Sequence, residues 1–153
     1  MNLTATRLDH SALDQLAAAL AVAGLPISDL AEAGRTFLRF DDDDDGLAGF
    51  GGIEGDGVDR LLRSLVVVPA RRGAGVGRAM LAEIERTASR TGTARLHLLT
   101  TTAAGFFAAA GYDVAERGVA PPTIAASREF TSLCPSSAVY FIKTLDCRCR
   151  CAT

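Results

Sequence analysis

The stretch from Leu65 to Arg78, LVVVPARRGAGVGR, limits the fold more than any other part of this chain. Its first half is a continuous apolar run, the pattern of a strand buried on both faces. Pro69 then ends the pairing, because proline has no N–H to give a neighbouring strand. After it, apolar residues recur at Val76, Met80, Ile84 and Ala88, with Leu81 alongside. That spacing predicts an amphipathic helix reaching about Thr91. A strand must therefore run into a glycine-rich turn that opens a helix. The first turn of a helix leaves N–H groups unpaired and carries positive potential. Glycines let an anion approach that backbone without a Cβ in the way. Arg71, Arg72 and Arg78 add forked donors for phosphate oxygens. Arg72, Gly73, Ala74, Gly75, Val76, Gly77 and Arg78 thus read as a pyrophosphate cradle. Two other phosphate motifs are excluded. No Gly-Lys-Ser/Thr follows, and the dinucleotide GxGxxG register within a first βαβ unit is missing.

The other elements are placed around this one. Thr4–Arg7 is a candidate first strand. Leu13, Leu16 and Leu20 share a helical face that Gly24 stops. Ser28 or Asp29 is placed to cap a short second helix ending at Gly34. Strands are expected over Thr36–Phe40, Leu47–Glu54 and Val58–Val68, with Asp41–Asp45 and Gly46 as a solvated hairpin turn. Further strands are expected at Leu96–Leu99, Tyr112–Ala115 and Ala138–Leu145, and a short helix at Ala103–Ala110. Residues 117–137 read as irregular, with one helical turn near Ser127–Leu133. Hairpins come first and alternation later, which indicates an α+β or mixed α/β domain around one sheet. Residues 1–145 are expected to form a single domain, and 146–153 a mobile cysteine-rich tail.

Composition closes off several functions. A net charge of −2 gives no global reason to bind nucleic acid or an anionic membrane. No apolar run approaches the roughly 20 residues of a membrane span. The N-terminus lacks a secretory pattern, so a cytoplasmic protein with reduced cysteines is expected. Cys147, Cys149 and Cys151 lack a C-x-x-C pair and a nearby histidine, so no metal site is expected. A thiol-based arsenic or metal binder stays open as an alternative.

The spacing of Arg72, Gly75 and Gly77 after Val66-Val67-Val68-Pro69 resembles the central signature of the GNAT superfamily of N-acetyltransferases. Ala104-Gly105-Phe106-Phe107-Ala108-Ala109-Ala110-Gly111-Tyr112 resembles a second segment of that family, on the helix beside the cofactor thiol. The resemblance implies a central mixed, largely antiparallel sheet flanked by helices. It implies acetyl-CoA as co-substrate, a small-molecule amine as acceptor, and room for a homodimer. It further implies that the backbones of Val66, Val67 and Val68 hold the acetyl and pantetheine part, with Phe107 beside them. The phrases LLRSLVV, LLTTTA, EF at 129–130 and LCPSSA look like the small GNAT proteins of arsenic-resistance operons.

Acetyl transfer to an amine needs a proton acceptor, oxyanion donors and an exit for the thiolate. Many members of the resembling family use a Tyr as general acid where this chain has Phe107. Tyr140 and Cys134 are the candidate substitutes. Glu54, near the end of a glycine-rich strand, is the leading candidate base, ahead of His97. Arg63 is a candidate for a substrate carboxylate, or else for a salt bridge with a neighbouring strand. Simple alternation lets only one of Arg63 and Ser64 face a cleft. A CoA-binding regulator without turnover is the second alternative, motivated by Phe107.

Overall fold

Seven strands form one sheet in the order β1-β2-β3-β4-β5-β7-β6. The computed structural model describes residues 2–43 and 46–145. The strands are β1 (Leu3–Arg7), β2 (Arg35–Asp42), β3 (Gly46–Glu54), β4 (Asp59–Val67), β5 (Arg95–Thr100), β6 (Asp113–Ala115) and β7 (Val139–Thr144). The helices are α1 (Leu13–Val22), α2 (Val76–Arg90), α3 (Ala104–Ala109) and α4 (Pro122–Ala125). Every neighbouring pair is antiparallel except β4 and β5. The expected mixed, largely antiparallel sheet with flanking helices is therefore the observed architecture.

Each face of the sheet buries its own apolar cluster. On one side Val76, Met80, Leu81, Ile84 and Ala88 of α2 pack with Phe107 of α3 over Phe40, Leu62, Leu96 and Phe141. These α2 positions are those picked out by the helical spacing. Glycines in β3 permit this contact: a Cβ on Gly51 would lie 2.5 Å from Ile84 Cδ1. On the other side Leu16 and Leu20 of α1 pack with Leu30, Phe37, Phe50 and Val66. None of the helices is long and apolar enough to cross a membrane among the described residues.

Two expectations from the sequence are corrected. Residues 28–34 form turns, not a second helix. Asp29 does not cap; its side chain is fully buried and paired with Arg35 and Arg63. Asp41 and Asp42 belong to β2, not to a solvated turn. Asp42 is only 5% exposed, and Arg71 Nη2 lies 2.7 Å from its carboxylate. A local charge count cannot see a partner 29 residues away. Asp44, Asp45 and the tail with Cys147, Cys149 and Cys151 lie outside the described residues.

Candidate active site

The parallel pair β4–β5 is the origin of the site. Its register runs only over Asp59↔Arg95, Arg60↔Leu96 and Leu61↔His97. Beyond Leu61 the two strands separate, and the rest of β4 keeps only β3 as a partner. The gap is a cleft of about 500 Å³ between β4 and β5, reaching Ala23 and Pro26 after α1 on one side and Phe106 of α3 on the other.

The glycine-rich loop borders this cleft through Arg72 and Gly77. Gly73 and Gly75 take positive φ, 84° and 77°, which favours glycine over residues with a Cβ. Nothing lies within 4 Å of a Cβ added at either position, so the loop is open to a ligand. Gly77 differs: a Cβ there would meet Phe106 and Val67 at 3.4 Å, so this glycine seats α2 on its neighbours. Gly75 caps α2, and the first intrahelical bond runs from Ala79 N to Gly75 O at 3.2 Å. The N–H groups of Val76, Gly77 and Arg78 are therefore left without helical acceptors. Arg72 and Arg78 are exposed, and Ala74 sits between the two positive-φ glycines. An anionic pyrophosphate fits such a cradle by shape and by charge.

Among the three valines implied as the pantetheine edge, the backbone separates their roles. Val68 donates to Ala48 O of β3 at 2.9 Å, which commits its N–H away from the gap. Alternation turns Val67 the other way, and its carbonyl accepts from Arg72 Nε at 3.3 Å. Val66 and Val67 both line the cleft. Phe107 lines it too, held edge-on against Phe106 and Tyr112 at 5.0 and 5.6 Å between ring centroids.

Arg63 and Ser64 both line the cleft, contrary to simple alternation. The cause is a bulge in β4: Phe50 faces Val66 and Gly52 faces Arg63, so Ser64 and Leu65 together oppose Gly51. Ser64 has φ of 59°, a left-handed conformation that is costly for a residue with a Cβ. Arg63 sits at the centre of a buried charged cluster. Its Nη1 and Nη2 donate to Asp29 at 2.5 and 2.7 Å, and Nη1 also reaches Glu54 Oε1 at 2.9 Å. Arg35 adds two bonds to Asp29 Oδ2, at 3.2 and 2.8 Å. Burial pushes the Asp29 carboxyl up, but the bonds from Arg63 and Arg35 outweigh it and hold it at about 2. Glu54 is engaged by Arg63 and is not part of the cleft wall, whereas Arg63, Glu129 and Cys134 are.

Glu129 has no place in the catalytic expectations drawn from sequence. It opens a single wide turn, Glu129–Leu133, closed by Cys134 N donating to Glu129 O at 3.1 Å. Phe130 anchors the turn edge-on against Tyr140, 5.0 Å between centroids. Burial raises the Glu129 carboxyl above its ordinary range, with Arg63 opposing. The Cys134 thiol donates to Glu129 Oε2 at 3.4 Å, and burial with the neighbouring carboxylate pushes it up to about 12. In the sequence Glu129 stood out only as part of the phrase EF at 129–130, and only the fold brings it opposite Arg63.

Tyr140 is not on the cleft wall. It is 1% exposed and lies 2.7 Å from His97 Nδ1, while His97 Nε2 lies 2.8 Å from Asp59 Oδ1. A carboxylate can only accept, so Nε2 carries the hydrogen and the Tyr140 hydroxyl donates to Nδ1. Burial lowers the His97 pKa, keeping the ring neutral, and burial raises Tyr140 to about 12.

A strand-edge gap beside an open helix N-terminus is the geometry of this site. Residues 33–114 match the acetyltransferase (GNAT) domain family, more than half of the chain, and the chain belongs to that family. Acetyl-CoA is the co-substrate of GNAT enzymes. No curated protein matches the sequence. Among solved structures, N-acetylglutamate synthase from Neisseria gonorrhoeae complexed with coenzyme A and N-acetyl-glutamate is similar with a TM-score of 0.77 at 19% identity. That match covers 95% of this chain and 36% of the synthase, so the chain spans about a third of the synthase's length. A GNAT-family acetyltransferase from Staphylococcus aureus Mu50 is similar at TM-score 0.68 and 15% identity, over 95% of this chain and 100% of that one. An aminoglycoside 6'-N-acetyltransferase complexed with coenzyme A is similar at TM-score 0.67 and 16% identity, over 94% and 97%. At such identities the likeness is one of fold.

Proposed function

We propose that this protein transfers the acetyl group of acetyl-CoA directly to the amine of a small molecule in the cytoplasm. One observation carries the reading: the gap between β4 and β5 is lined both by Arg72 and Gly77 of the glycine-rich loop and by Arg63, Glu129 and Cys134. Arg72 through Arg78 hold the pyrophosphate, and the unpaired edge of β4 around Val67 holds the pantetheine and the thioester carbonyl. Fixed N–H donors aimed at developing oxyanion charge contribute several kcal/mol, about 3 to 4. Placing two substrates in one cleft contributes more. Phe107 supplies no proton. A CoA thiol, with a pKa near the ordinary value of about 8.5, leaves readily as thiolate without a strong acid. Cys134, at about 12, is a weaker acid than that thiol and is poorly matched to protonate it.

The acceptor is a small amine, and the arsenic-operon phrases in the sequence favour an arsenic-containing or amino-acid-like toxin. The competing reading is a CoA-binding regulator, motivated by Phe107. The deciding measurement is CoA release from acetyl-CoA across a panel of amines. Tight acetyl-CoA binding with no release from any amine would favour the regulator. Gly75→Asp tests the cradle, because the added carboxylate meets both the phosphate charge and a strained backbone. A loss of about tenfold or more in acetyl-CoA affinity by calorimetry is expected, and unchanged affinity would refute the placement.

A further inference from the structure

Acetyl transfer as described leaves one buried carboxylate on the cleft wall with only a long ion pair to Arg63 and a weak thiol donor. Asp29 accepts four hydrogen bonds from Arg35 and Arg63. Glu54 accepts from Arg63 at 2.9 Å. Glu129 is placed differently. Arg63 Nε is 3.6 Å from its Oε1, outside hydrogen-bonding range, and that Nε donates to Ser64 Oγ at 3.2 Å. Among the described residues, the one donor to the Glu129 side chain is the weak S–H of Cys134 at 3.4 Å. The exposed Glu32, 3.8 Å from Arg35, is paired with Arg128. The interior thus sets three carboxylates, Asp29, Glu54 and Glu129, against two guanidiniums, Arg35 and Arg63. A buried carboxylate in excess is costly until a cation or a proton completes it. Glu129 is 4% exposed and faces the cleft, so a small molecule entering the gap can reach it.

We propose that Glu129 binds the acceptor as an ammonium cation and removes its proton. This assignment rests on the acetyl-transfer reading and adds the acceptor's charge to it. An N–H bond of the ammonium breaks, its electron pair stays on nitrogen, and the proton passes to the Glu129 carboxylate. The freed pair forms the C–N bond at the thioester carbonyl carbon. The C–S bond breaks and its electrons leave on the CoA sulfur. The second nitrogen proton goes to that thiolate, giving amide and CoA thiol, and Glu129 returns its proton to solvent. Cys134 acts as a positioning residue by donating to Oε2.

The experiment compares wild type with Glu129→Gln in two readouts. The first is CoA release with ethanolamine, glycinamide and phenylethylamine, which are charged at neutral pH, and with aniline, which is not. Glu129→Gln is expected to lose about 10²-fold or more in kcat/KM for the alkyl amines, with a much smaller loss for aniline and acetyl-CoA affinity kept. A change within about threefold for the alkyl amines, or an equal loss for aniline, overturns the assignment. The second readout is melting temperature without substrate. A surplus buried carboxylate predicts that Glu129→Gln melts higher; a lower melting point would make Glu129 a structural partner of Arg63 and overturn the assignment. Failure of the acetyl-transfer reading looks different, with no CoA release by the wild type for any amine. The cation assignment is then read from ethylammonium chloride against sodium chloride at equal ionic strength. Selective stabilisation of wild type but not Glu129→Gln supports it, and equal shifts overturn it.

Discussion

Two polar groupings meet at β4, and they differ in whether their charges are matched. Along β5 and β7 the chain Arg95–Asp59–His97–Tyr140 has a partner at every step, at 2.6, 2.8 and 2.7 Å. It lies off the cleft. The cluster of Asp29, Arg35, Glu54, Arg63 and Glu129 keeps one carboxylate poorly paired, and that residue is on the cleft wall. A satisfied network fixes structure, while an unsatisfied buried group costs stability unless something completes it. The difference teaches where to look for chemistry: at the imbalance, not at the more regular hydrogen-bonded chain.

The largest test of this contrast is Arg63→Met. It removes the cation from between three carboxylates and should cost about 3–5 kcal/mol in urea unfolding. A loss below 1 kcal/mol would mean the cluster does not depend on Arg63. His97→Leu comes next. It strands the Tyr140 hydroxyl in the interior and should cost about 1–3 kcal/mol while acetyl-CoA affinity stays unchanged. Lost affinity would tie the network to the cleft and break the distinction. Tyr140→Phe removes one hydrogen bond and should cost about 1 kcal/mol.

The smallest expected effects are in the pH dependence, and the signs differ between the groupings. The Arg95 guanidinium holds Asp59 down from 3.8 to about 2, so its contribution is complete above about pH 4 and is lost as pH falls toward 2. Burial lowers His97 from 6.5, so folding also weakens as pH falls below that value, because the unfolded ring takes up a proton more readily. Glu129 is raised from 4.5, mainly by burial, in the company of Arg63, Cys134, Glu54 and Asp29. The unfolded chain then loses its proton first, so Glu129 lowers stability as pH rises above about 4.5. The stability advantage of Glu129→Gln over wild type should therefore widen between pH 4 and pH 7 in chemical unfolding. A constant difference would place Glu129 among the matched charges.

What the sequence made visible was local. Val76, Met80, Ile84 and Ala88 announced α2 by spacing alone, and all four are buried. The glycine loop announced the turn that opens α2, because its residue types and its place before a helix are contiguous. The charged cluster was not legible in this way. Asp29 meets Arg63 across 34 positions, Asp42 meets Arg71 across 29, and Tyr140 meets His97 across 43. Each was read from its neighbours, as a cap, a solvated turn and a candidate acid. Glu129 was legible only as part of a resembling phrase, since its importance depends on Arg63 being spent on other carboxylates.

The bulge at Ser64 has a further consequence. Leu62 packs in the cluster under α2, while Val66, four residues on, packs in the cluster under α1. In an unbroken strand both would share a side. One extra residue thus reverses the phase of β4 halfway along, so its two halves address the sheet's two layers by opposite parity. The cleft-lining half is set by a backbone count rather than by any side chain. Deleting Ser64 would leave each apolar side chain in the sequence yet exchange one layer for the other from Val66 onward, a kind of frameshift written in space.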